Sequence, residues 1–310
     1  MAPTRVPWEE RAGSIDLTVA GHVNVDHFLH VAGLPAPDRT VPIARQETHL
    51  GGTATNLARS AAAWGVRAGI ISRVGHDFPA TFTAVLEREH IDLAGIERVA
   101  DATSSCCYIV EDGKGGQMTL IDQGPMGSAR TAPVPLEVIA ASRWLHLATG
   151  DPDYLLRIAR EARRTGVPVS VDPAQEIHYR WDARRFHRLV GAAEILFGNT
   201  AEIDRASELL GTARRTELLA HVPLVIETRG GDGAVAYHRA GIERVRAVRP
   251  RPLRQVTGAG DAFRGGFFAA WLAGQPLGHC LIAGTRSAAR WMSTGSRAPL
   301  VDRPDPGRSP

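Results

Sequence analysis

No apolar stretch in this chain is long enough to span a bilayer. The opening segment, Met1-Ala2-Pro3-Thr4-Arg5-Val6-Pro7-Trp8, has no apolar region of the kind a secretory signal carries. The expectation is therefore a soluble protein of the cytoplasm with no membrane partner. Cysteine is scarce, with Cys106, Cys107 and Cys280 the three in 310 residues. They make neither a disulfide framework nor a metal spacing, and are expected to be small buried apolar side chains. Net charge is slight, at +3, and arginine clusters such as Arg160–Arg164 and Arg244–Arg254 carry no interleaved aromatics. They read as solvated faces, and no nucleic-acid partner is expected. No Gly-x-Gly-x-x-Gly follows the first apolar strand, which counts against a dinucleotide-dependent oxidoreductase.

What is present is ample apolar material, 44% of the residues, enough for a sizeable core. Ile15–Val23 reads as a first strand, with Asn24-Val25-Asp26 at its carboxyl end, where ligands meet open α/β sheets. His27–Val31 and Val41–Leu50, separated by the turn-rich Gly33–Asp38, read as paired short strands standing off the main body. Ser105–Glu111 and Gln117–Asp122, joined by Asp112–Gly116, read as a hairpin. Gly51-Gly52 leads into an alanine-rich helix bearing Asn56. From Trp144 onward strands and helices alternate regularly: Trp144–Ala148, Val167–Val171, Ile195–Phe197 and Val222–Glu227 as strands, Tyr154–Arg164, Ala183–Val190 and Ala201–Leu210 as helices. Such alternation predicts a mainly parallel sheet wrapped by helices. With no linker inside it, one domain over 14–300 fits better than two, and 301–310 reads as a flexible tail.

The stretch that organises the chain is Val256-Thr257-Gly258-Ala259-Gly260-Asp261-Ala262-Phe263-Arg264-Gly265-Gly266-Phe267-Phe268. Small residues open it, a carboxylate follows, and an apolar helix takes over. Free N–H groups at such a helix start, backed by the positive end of its dipole, suit phosphate oxygens. Asp261 is the wrong charge for that cradle unless it has chemical work, such as taking a proton from an attacking hydroxyl. The plain alternative is a tight loop with an acid that the dipole favours.

Thr257-Gly258-Ala259-Gly260-Asp261 resembles the C-terminal signature of the ribokinase-like (PfkB) carbohydrate and nucleoside kinases. Gly51-Gly52 followed by Asn56 resembles their N-terminal signature. Weaker likenesses are Gly75-His76-Asp77, Asn199-Thr200-Ala201-Glu202 and Thr228-Arg229-Gly230-Gly231-Asp232-Gly233, so the resemblance runs from Gly21 to about Pro299. It implies a three-layer α/β fold with a small β-sheet lid, its strands at about 27–50 and 105–123. It also implies transfer of the γ-phosphate of ATP, with Mg²⁺, to a hydroxyl of a nucleoside or sugar. Asp261 would then be the base, and the N–H groups of Gly258, Ala259 and Gly260 the anion hole. Asn24, Asp26, Gly51, Gly52 and Asn56 would hold the acceptor. Asn199, Thr228, Gly230, Gly233 and Thr257 would hold the nucleotide. Glu202 and Asn199 would hold Mg²⁺ through water, and a homodimer through the lid is expected.

Three positions keep alternatives open. Asn199 with Glu202 is equally a helix cap. Arg264 either meets an anionic acceptor, such as a sugar acid or sugar phosphate, or is solvated on the outer face of its helix. Gln255 stands where the family usually has an aspartate for a monovalent cation, so little potassium dependence is expected, and a non-catalytic ligand-sensing module on the same fold keeps some room.

Overall fold

The computed structural model describes residues 14–253 and 256–294. Gln255 and the tail 301–310 lie outside the described residues. Among the described residues, thirteen strands form two sheets. The large sheet holds β1 (Ile15–Ala20), β4 (Ala68–Gly75), β5 (Asp92–Val99), β8 (Ser142–Leu147), β9 (Val169–Val171), β10 (Ile195–Asn199), β11 (Leu224–Thr228), β12 (Ala234–His238) and β13 (Gly241–Val245). Its order is β13-β12-β11-β10-β9-β8-β1-β4-β5. Pairing is parallel from β11 through to β5 and antiparallel at β11-β12-β13.

Parallel strands buried on both faces alternate their apolar side chains between two layers of helices. Ile195, Phe197, Leu224 and Ile226 turn to one core, and Leu196 and Val225 to the other. The first core packs under α1 (Thr53–Ala62), α2 (Ala80–Arg88), α8 (Ala259–Leu272) and α9 (Leu277–Thr294). The second lies under α3 (Gly124–Gly127), α4 (Leu136–Ala141), α5 (Pro152–Arg164), α6 (Ala183–Val190) and α7 (Thr200–Leu210). In the first, Phe197, Phe267 and Phe268 pack edge to face or tilted, with Trp144 against Phe268. Each such fully buried ring contributes about 1.5–3 kcal/mol, so α8 is seated firmly on the sheet.

The small sheet has the order β3-β2-β6-β7, formed by β2 (Asn24–Val31), β3 (Ile43–Gly51), β6 (Cys106–Glu111) and β7 (Gln117–Asp122). Here the structure corrects the sequence pattern. Asn24 and Asp26 lie inside β2, which begins at Asn24 and not at His27. They alternate with less buried neighbours, so the inward face of this strand begins with polar residues, which no apolar period-2 search detects. Strand β5 also has no sequence signature. It is an edge of the large sheet, and its residues, mostly part-exposed and with Glu97 and Arg98 side by side, give no alternation. Cys280 is buried as expected, but Cys106 and Cys107, at the start of β6 in the small sheet, are half-buried. Among the described residues no helix is long and apolar enough to cross a membrane.

Candidate active site

The strand order reverses at β1: the chain first builds outward through β4 and β5 on one side and then returns to add β8, β9, β10 and β11 on the other. Such a switch point opens a crevice at the carboxyl ends of the strands. Chain leaving β1 passes through Gly21-His22-Val23 into β2, and β3 returns directly into α1 through Gly51-Gly52. Gly52 caps α1 at φ 94°, a conformation open to glycine, and a Cβ there would run into the His22 carbonyl. A Cβ on Gly51 would collide with the Asp26 carboxylate, which lies over it. Asn24 pairs with Gly51 across β2 and β3, and its Nδ2 donates to Cys107 Sγ at 3.3 Å while Oδ1 stays buried with no partner. Asn24, Asp26, Gly51 and Gly52 therefore form one group at the start of α1.

Asn56, one turn into α1, links this group to the second helix. Its Nδ2 donates to Asp261 Oδ2 at 3.1 Å. Ser60 Oγ, one turn further, donates to the Ala262 carbonyl at 3.1 Å. The two helices approach so closely that a Cβ on Gly265 would stand 2.6 Å from the Ser60 side chain. That approach explains why small residues follow Arg264.

Helix α8 starts at Gly258, whose φ of 81° closes a turn in which the Ala259 N–H donates to the Val256 carbonyl at 3.1 Å. Of the N–H groups expected to face an anion, that of Ala259 is thus already engaged. No side chain caps this helix start, where a helix leaves its first N–H groups without the regular intrahelical partner. Trp291 braces the turn from α9 by donating Nε1–H to the Thr257 carbonyl at 3.0 Å.

Asp261 is half-buried. Burial pushes its carboxyl up to about 7, against the pull of the Arg264 charge and the Asn56 hydrogen bond and with a small further push from Asp172. A carboxyl raised toward neutrality, beside a helix start that no side chain caps, has the chemistry to exchange a proton with a hydroxyl.

Sequence reasoning left Arg264 open, and the structure resolves it. The residue is 4% exposed and forms an ion pair with Asp172, itself 3% exposed. It is not solvated, and it is already matched to an anion of the protein. Asp172 carried a signal, a carboxylate ending a strand, but its partner lies 92 residues away and only folding reveals the pair.

A second group gathers at the ends of β10 and β11. Asn199, Thr228 and Gly230 line a cavity of about 550 Å³ together with Arg215, Glu227 and Arg229. Gly233 does not line it. Its φ is 97°, and a Cβ would run into the Val245 carbonyl, so it serves the approach of β12 and β13. Arg229 was not singled out from the sequence. It donates to Glu227 Oε2 at 2.9 Å and to the Tyr237 hydroxyl at 2.7 Å, and the cue was only its place inside Thr228-Arg229-Gly230.

Asn199 and Glu202 form a full capping box at the start of α7. Asn199 Oδ1 accepts from the Glu202 N–H at 3.0 Å, and Glu202 Oε2 accepts from the Asn199 N–H at 2.7 Å. Among the described residues no cluster of three or more His, Cys, Asp or Glu could hold a metal ion. Such a donor set fits Mg²⁺ held mostly by phosphate oxygens and water, with a carboxylate at one remove.

Comparison with known proteins identifies the family. Residues 14–299 match the pfkB family carbohydrate kinases. The chain is similar to a nucleoside kinase of Methanothermobacter thermautotrophicus, 33% identical over 266 residues that cover 86% of this chain and 85% of that protein. An ATP-dependent ribose-1-phosphate kinase of Halopiger xanaduensis is 31% identical over 258 residues, 82% of this chain and 83% of that one. The crystal structure of the Methanocaldococcus jannaschii nucleoside kinase, an archaeal member of the ribokinase family, superposes with a TM-score of 0.83 at 26% identity, covering 91% of this chain and 93% of that one. With two signature helices meeting at one carboxylate and a family match over nearly the whole chain, the protein is a kinase that belongs to the pfkB family of carbohydrate kinases.

Proposed function

We propose that this kinase transfers the γ-phosphate of ATP to a primary hydroxyl of a nucleoside, with a free sugar as the neighbouring class. The observation that carries the reading is the Asn56–Asp261 hydrogen bond. It joins the acceptor-side helix to the anion-side helix at a carboxyl that burial raises to about 7. Asp261 takes the proton of the attacking hydroxyl, and the helix start, through the N–H groups of Gly258 and Gly260, stabilises charge on the transferring oxygens. Asn24, Asp26, Gly51, Gly52 and Asn56 hold the acceptor's hydroxyls. The ATP phosphates and ribose lie along Asn199, Thr228, Gly230 and Thr257, with Gly233 shaping the turn. Glu202 and Asn199 would hold Mg²⁺ through water, and the ion would supply positive charge at the phosphates. The small sheet acts as a lid that excludes water, and it is also the surface through which two copies would pair.

The nucleoside preference is supported by the nucleoside kinase relatives at 33% and 27% identity. A phosphorylated sugar acceptor has the ribose-1-phosphate kinase relative in its favour, but Arg264, buried and paired with Asp172, does not offer itself to one. The deciding experiment measures ADP release with ATP and Mg²⁺ against nucleosides, pentoses, hexoses, ribose 1-phosphate and sugar acids. Turnover with a nucleoside supports the proposal. Acceptor-independent hydrolysis, or no turnover across the set, refutes it.

A further inference from the structure

Arg264 is placed against two ordinary physical preferences. It lies four residues after Gly260, and helical side chains lean toward the helix start. Its guanidinium comes back beside the first turn, where Nη1 stands 2.8 Å from the position a Cβ on Gly260 would take. A cation there is the wrong sign for the positive end of the helix dipole. The ion pair with Asp172 is buried on both sides, and such pairs are often no more stable than apolar residues of the same volume. The guanidinium also stands over Phe197 of β10, its carbon 5.6 Å from the ring centroid. Stability alone therefore gives little reason for a buried charged pair at this spot.

The location suggests what the pair does. Asp172 follows the end of β9, and Arg264 belongs to the helix that carries Asp261 and the anion-facing turn. The pair thus pins the start of α8 to the sheet. Phe197 fixes the guanidinium from below, and Gly260 leaves it room above. Asn56 approaches Asp261 from the opposite side, on α1. The other ionisable groups around the cation are Glu202 on α7, whose charge acts on Asp172, and His146 on β8, kept neutral by burial and by Arg264 itself.

We propose that Arg264 is a positioning residue of the phosphoryl-transfer site, a buried cation that ties the first turn of α8 to Asp172 and so aims Asp261 and the anion-facing turn at the acceptor. The proposal rests on the kinase reading above. It also accounts for Gly260, since any side chain there would press on the guanidinium.

The test is a set of variants assayed with the acceptor that the screen identifies. Arg264→Met combined with Asp172→Leu replaces the pair by apolar groups of similar bulk, which avoids a stranded buried charge. The double variant is expected to melt within a few degrees of wild type, to bind ATP with an unchanged KM, and to lose about 10²-fold in kcat, the scale of a misplaced reacting group. Its acid limb in kcat/KM is expected to move to higher pH, because Arg264 lowers the Asp261 carboxyl more than Asp172 raises it. Arg264→Lys keeps the charge but not the fork, and is expected to hold the acid limb while losing part of kcat. A double variant with wild-type kcat and an unmoved acid limb overturns the proposal and leaves the kinase reading intact. A wild-type protein with no turnover on any acceptor overturns that reading, and this inference with it.

Discussion

Replacing Asp261 with asparagine sets chemistry and stability against each other, because the same burial that suits the carboxyl for proton transfer makes it costly to ionise. The amide has nearly the same shape, and its oxygen can still accept from Asn56 Nδ2, which donates to Asp261 at 3.1 Å in the native protein. Activity is expected to fall by about 10²–10⁴, the usual contribution of a general base. Stability is expected to move the other way. The Asp261 carboxyl is raised from 3.8 to about 7 in the fold, so the native state favours its protonated form. Its stabilising contribution is complete below 3.8 and is lost as pH rises through 7. At pH 8 the ionised carboxylate then costs the native state up to about 4 kcal/mol, less whatever screening reaches a half-buried group. The neutral amide avoids that cost. Melting curves at pH 8 should place the variant above wild type, with the gap closing toward pH 4. Wild-type kcat/KM should also rise about tenfold per pH unit below 7. Normal turnover in the variant refutes the base, and an equal melting temperature at pH 8 refutes the account of its ionisation.

Asn56→Ala removes a hydrogen bond that lowers the Asp261 carboxyl, so the acid limb of kcat/KM should shift to higher pH while the acceptor KM rises; an unshifted limb contradicts the coupling. Gly52→Ala forces a side chain to φ 94° and against the His22 carbonyl, and should cost at least about 2 kcal/mol in denaturant unfolding. Arg229→Ala, in the wall of the 550 Å³ cavity, should raise the KM for ATP about tenfold and leave the acceptor KM unchanged in steady-state kinetics. Asp16 is held down at about 2, chiefly by its hydrogen bonds to Arg67, so its stabilisation is present above 3.8 and lost as pH falls through 2. Asp16→Asn should cost about 1–2 kcal/mol at pH 7, given how exposed Arg67 is, with the difference narrowing between pH 4 and pH 2.

Much of this protein is legible in its sequence because the governing constraints are local. Regular alternation after Trp144 reports strands buried on both faces, and Ala183–Val190 is a helix with the same bounds in the fold. Glycines at 52 and 258 mark backbone turns that other residues rarely enter, so the two helix starts that frame the site stand out from short-range chemistry alone. Strands without a regular apolar face are less legible. Asn24 and Asp26 face inward from β2, and β5 runs along an edge, so neither gives the apolar rhythm by which strands are recognised.

The sequence by itself determined the element types, the glycine turns and the candidate carboxylate, because each depends on residues within a few positions of one another. Only the tertiary structure decided that Asn56 meets Asp261 across 205 positions, that Arg264 finds Asp172, and that Gly233 serves strand packing while Arg229 lines the nearby cavity. These facts depend on the depth at which each charge is buried and on what packs against it. Both are set by the crossing of α1, α8 and the sheet, and by no neighbour along the chain.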